Sequence, residues 1–145
     1  MTNTYSKNEE DVFYCLVRVM HELNWRDHYL KPYTRMPFIV KELDGLMSLH
    51  LPELHAKFDE EGMLGVVIEN LYNYVIFSIC ASEFIPVDVT VRIFEIVIFE
   101  GLGDASLVRL ILYMLMIQEE DIMKIEDSCD RFRYVAHGKF IVDCI

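Results

Sequence analysis

Apolar positions recur at helical spacing in block after block of this chain. Val12, Phe13, Leu16, Val17, Val19, Met20 and Leu23 make one stripe, and Ser6 with Glu9 three places later forms a capping box that would start that helix. The pattern lasts to about Asn24, whereas residues 1–5 carry none of it and are expected to be disordered, leaving residues 6–145 as a single helical domain. A connector rich in rings and charges, residues 25–33, is broken by Pro32. Pro37 suits the opening turn of a second helix with Ile39, Val40, Leu43, Leu46 and Met47 on one face, and Pro52 ends it and opens a short helix that Gly62 closes. Residues 65–81 are nearly all apolar, so periodicity does not separate a buried strand from a buried helix, and length favours the helix. After the turn at residues 101–104, Asp104 caps a helix predicted through Ile117, Glu119 to Asp121 begin a further short one, Asp127 or Ser128 another, and Gly138 ends it. The reading is all-α, an irregular array of about six to eight helices.

One segment, residues 86–101, holds the most information. Pro86 fits a first helical turn, Asp88 favours the positive end of the dipole, and Gly101 fits a left-handed cap. Val89, Ile93, Ile96 and Val97 keep helical spacing, while Val87, Val91, Phe94, Ile98 and Phe99 make the helix apolar nearly all round, which predicts burial. Arg92 beside Phe94 and Glu95 then has two readings. It reaches a partner, or it lies half-buried and paired with Glu95 or Glu83 and helix-end carbonyls, and the apolar surroundings favour the second.

Arg92, Phe94, Glu95 and Gly101 resemble the R-I-W-D-x-x-x-x-x-G segment of the TBC domain, the helical domain of GTPase-activating proteins for Rab GTPases, with phenylalanine in place of tryptophan and glutamate in place of aspartate. Residues 9–16, Glu-Glu-Asp-Val-Phe-Tyr-Cys-Leu, are similar to the family's E-E-D-A-F-W-x-L, and Tyr29, Leu43, Leu46, Leu51-Pro52-Glu53-Leu54 and Gly62 follow its next run in order. All of these segments belong to the family's C-terminal half. In that family an arginine in I-x-x-D-x-x-R and a glutamine in Y-x-Q, both in the N-terminal half, act in trans on GTP held by the Rab. Neither motif occurs in these residues: Gln118 follows Met116 rather than a tyrosine at that spacing, and the nearest arginine, Arg133 after Asp130, lies at the other end of the chain. The resemblance therefore implies the scaffold half of a GTPase-activating domain, with a Rab-type small GTPase as partner, no cofactor, and no activity of its own. A catalytically inert protein-binding module on the same fold is the alternative.

Composition adds a constraint. Hydrophobic residues make up 53% of 145 and the mean hydropathy is +0.23, so apolar surface left over from the core must be covered by a partner, a second copy or a further segment. Trp25, Tyr29 and Tyr33 either pin the connector to the core or form an aromatic patch facing a partner. A net charge of −11, with basic residues scattered, argues against binding a phosphate backbone. The longest uncharged run, residues 70–82, is too short for the ~20 residues that span a bilayer. Cys15, Cys80, Cys129 and Cys144 lack metal spacing and read as reduced, mostly buried thiols, consistent with a cytoplasmic protein that meets membranes only through a partner. His50 and His55 lie five apart and read as surface histidines rather than metal ligands; no G-x-S-x-G or phosphate-binding loop is present.

Overall fold

The computed structural model describes residues 8–30, 34–78, 83–101 and 103–144. Helix α1 (Glu9–His21) is followed by a 3₁₀ turn (Trp25–His28), α2 (Arg35–His50), α3 (Pro52–Glu60) and α4 (Leu64–Leu71). A π turn (Tyr72–Ile76) continues α4, and α5 (Val87–Glu100), α6 (Asp104–Lys124), α7 (Ser128–Ala136) and α8 (Lys139–Asp143) complete an all-α array with no strand among the described residues. The long α6 lies at the centre, against α2, α5, α7, α8 and the π turn, while α2 packs on α3 and α4, and α4 on α7. Its inward face carries Leu107, Val108, Ile111, Leu112 and Leu115, joined in one buried cluster by Leu43 and Met47 of α2, Phe58 of α3, Val67 and Leu71 of α4, and Phe140 of α8.

Local signals set most boundaries. Pro52 opens α3, and Gly62 (φ 67°) and Gly101 (φ 69°) take left-handed conformations after α3 and α5. The Asp127 side chain accepts the Asp130 N–H at 2.9 Å to cap α7. Pro37 sits in the first turn of α2, where a missing N–H leaves nothing unpaired, and that helix starts two residues earlier than the proline suggests.

Several expectations need correction. The capping box of α1 falls partly outside the described residues; the observed cap is Asn8, whose side chain accepts the Glu10 N–H, and the helix ends at His21, not Asn24, because Asn24 turns left-handed (φ 56°). Most of the stripe on α1 is uncovered: Val19 and Leu23 are buried, whereas Val12, Phe13, Leu16 and Val17 face outward. Helix α5 buries only the face of Val89, Ile93 and Val97; Val87 and Phe99 are among the most exposed apolar groups, at 78% and 95%. Glu119 to Asp121 do not begin a new helix but continue α6, where Lys124 pairs with Glu120 and Asp121, each at 3.0 Å, a turn away. Cys15 and Cys129 are exposed and Cys144 half-buried, so the described thiols are free but not mostly buried. Cys80, Tyr33 and the tail at residues 1–5 lie outside the described residues.

Candidate functional site

On α5 the residues Arg92, Glu95, Ile96, Phe99 and Glu100 recur at intervals of three and four, so they share one edge. That edge points outward and lines an open recess of about 620 Å³. Arg92 and Glu95 are exposed, Phe94 is half-buried against the core, and Gly101 closes the helix with its N–H on the Val97 carbonyl at 3.2 Å. The half-buried ionic pairing expected for Arg92 is thus not what the structure contains. The reason is periodicity: Val89, Ile93 and Val97 anchor the helix on α6, and Arg92 lies on its flank, about 100° round the cylinder from that face.

The connector behaves differently. Trp25 is fully buried and its indole N–H points at the Phe77 carbonyl, 3.4 Å away; the Tyr29 hydroxyl donates to the same carbonyl at 3.3 Å, with its ring 4.7 Å from that of Phe77. Two aromatic side chains therefore converge on the carbonyl that follows the π turn. Trp25 serves the core, while Tyr29 is 45% exposed.

Beneath that segment lies a polar cluster that sequence order hides. His28, 1% exposed, places Nδ1 2.9 Å from the Tyr72 hydroxyl and Nε2 3.3 Å from Oδ2 of Asp104. Arg35 grips the same carboxylate through two bonds of 2.6 and 3.0 Å. The partners come from the 3₁₀ turn, the π turn, α2 and the first residue of α6, with sequence separations of 44 and 69. Burial pushes the Asp104 carboxyl up, but the hydrogen bonds from His28 and Arg35 and the Arg35 charge outweigh it and hold its pKa at about 2, against 3.8. Burial, with the Asp104 charge, raises the Tyr72 hydroxyl, which remains a hydroxyl. The set is satisfied internally, which makes it a clamp between four segments.

Several other charged groups pair elsewhere. Arg131, buried in α7, pairs with Glu61 and the Ile125 carbonyl, tying α7 to the end of α3. Arg133 is exposed and leans on Asp130 at 3.5 Å. His55 meets Asp44 at 2.9 Å, His21 and His50 are exposed, and the His137 ring stacks on Phe84 at 4.2 Å, its pKa lowered by burial and by Lys139 and Arg133. Among the described residues no group of histidines, cysteines and carboxylates could hold a metal ion, and no helix is long and apolar enough to cross a membrane.

Comparison with known proteins places these elements in context. The family described as the RabGAP TBC domain matches residues 4–141. Human TBC1 domain family member 2B is 27% identical over 129 residues, covering 89% of this chain and 13% of that protein. Mouse growth hormone-regulated TBC protein 1 is 25% identical over 142 residues, 96% of this chain and 38% of its own length. The chain therefore spans well under half of these relatives. No solved structure matches it.

Proposed function

Because the chain belongs to the RabGAP TBC domain family, we propose that it is a docking scaffold for a Rab-type small GTPase in membrane traffic, engaging the GTPase without supplying the groups that hydrolyse its nucleotide. The observation that carries this is the outward edge of α5, where the family's signature residues Arg92 and Glu95 stand beside Ile96 and Phe99 instead of being consumed in the core. An exposed arginine flanked by an exposed aromatic is the composition of an interface anchor. The 145 residues carry neither the arginine-finger nor the glutamine motif, and an arginine finger is worth about 10³–10⁵ in rate. Activation of hydrolysis by these residues alone is accordingly negligible. The protein would work in the cytoplasm and reach membranes through the GTPase it binds.

The test uses the purified chain against a panel of Rab-type GTPases loaded with a non-hydrolysable GTP analogue or with GDP. Binding selective for the GTP form, lost in Phe99→Ala and accompanied by no faster GTP hydrolysis, is the expected result. Faster hydrolysis would remove the scaffold part of the proposal, and no binding to any GTPase in either state would leave the inert protein-binding module. The exposed stripe on α1 favours that second reading, since it offers a docking element with no charged group of the signature helix involved.

A further inference from the structure

Helix α5 carries the outward edge, yet it meets the rest of the fold chiefly through α6, along the single row of Val89, Ile93 and Val97. A helix seated on one neighbour along one row depends on its two ends for its angle, and both ends are gripped by residues remote in sequence. At the exit, Gly103 lies so close to the Leu23 carbonyl that a Cβ there would stand 2.5 Å from the oxygen, and Asp104 is held by His28 and Arg35. At the entrance, the Phe84 ring lies flat on the His137 imidazole, with centroids 4.2 Å apart and planes 8° from parallel. Tyr74 of the π turn meets both rings edge-on, at 5.7 and 5.3 Å. Ile85 is buried beside them, its Cδ1 only 3.2 Å from where a Cβ on Gly138 would stand. Gly138 is left-handed (φ 71°), so the elbow between α7 and α8 offers bare backbone to the segment that leads into α5.

We propose that Phe84 and His137 are positioning residues for the docking edge: their stack at the α7–α8 elbow sets the angle at which α5 leaves the body, and so the place of Arg92. The proposal rests on the GTPase reading of that edge. With the exit held, loss of the entrance contact lets α5 swing about Gly101. Arg92 lies nine residues from that pivot, about 13 Å along the helix, so a swing of about 10° carries it about 2 Å. Phe99, two residues from the pivot, hardly moves. A shift of that size breaks the geometry of a hydrogen bond or ion pair. The stack therefore acts on binding through Arg92 and not through Phe99.

The test measures binding of the chain to a Rab-type GTPase loaded with a non-hydrolysable GTP analogue, together with amide hydrogen exchange of the free chain. Phe84→Ala should weaken binding up to about tenfold, and Phe84→Tyr and His137→Phe, which keep two stacked rings, should stay within about twofold of the wild type. Phe84→Ala should add little once Arg92 is alanine, yet remain additive with Phe99→Ala. Equal losses in the wild-type and Arg92→Ala backgrounds overturn the proposal, because a merely structural role is felt in both. The exchange measurement needs no GTPase: in Phe84→Ala the amides of α5 should exchange about tenfold faster while those of α6 keep the wild-type rate. If the wild type binds no GTPase, the docking reading fails and exchange still decides whether the elbow holds α5. Unchanged exchange in α5, or the same acceleration in α5 and α6, overturns it.

Discussion

Asp104 is the residue on which the clamp closes, and its ionised state carries the energy. Because its pKa falls from 3.8 unfolded to about 2 folded, the stability it contributes is fully present above pH 4 and is lost as pH falls through 2. Allowing for its partial solvation, the contribution is on the order of 1–2 kcal/mol. The difference in urea midpoint between the wild type and Asp104→Asn should therefore shrink steadily between pH 4 and 2, which equilibrium unfolding at a series of pH values measures. A difference constant across that window would mean the carboxylate is not held by its neighbours. Next to it, Gly103 has φ 62° and ψ −130°, and a Cβ there would stand 2.5 Å from the Leu23 carbonyl oxygen. Gly103→Ala combines strain with a backbone clash and should cost about 2–3 kcal/mol or more. Gly101→Ala, in the left-handed region but with open space around it, should cost only about 1–2 kcal/mol. Urea midpoints with unchanged slopes would verify the ranking.

At the scale of elements, burial of Arg92 in an ion pair and its exposure on α5 predict opposite outcomes. Arg92→Ala should leave the melting temperature unchanged within the error of a surface substitution, about 0.5 kcal/mol, while weakening GTPase binding; thermal melts and nucleotide-selective binding on one preparation measure both. Helix existence was legible from the sequence, as were caps written in Pro52, Gly62, Gly101 and Asp127, because each depends on neighbours a few residues away. Which face of α5 meets the core was not, since apolar residues surround that helix and only the tertiary position of α6 selects Val89, Ile93 and Val97. The same limit hid the continuation of α6 through Glu119 to Asp121: Lys124 pairs with Glu120 and Asp121 on one helical surface, so an acidic cluster that reads as the start of a new helix is a solvated face of the old one. The clamp was out of reach for a further reason. His28, Arg35, Tyr72 and Asp104 are separated by up to tens of residues, and no spacing rule links them.

For the whole molecule, one buried cluster extends from the end of α1 to α8 with α6 at its centre. A core of that kind should unfold in a single cooperative step. Thermal unfolding followed by circular dichroism and by intrinsic fluorescence should then coincide, and separated transitions would reveal a part that melts by itself. The fluorescence half of that comparison is supplied by the chain. Its one tryptophan, Trp25, has no solvent contact, has the His28 ring 5.0 Å away, and is tethered to a carbonyl 52 residues distant. The molecule thus carries a built-in optical probe of long-range docking: emission should sit at short wavelength and move to the red when the connector leaves the π turn, while events confined to the overhanging end of α1 or the outer edge of α5 pass without changing its colour.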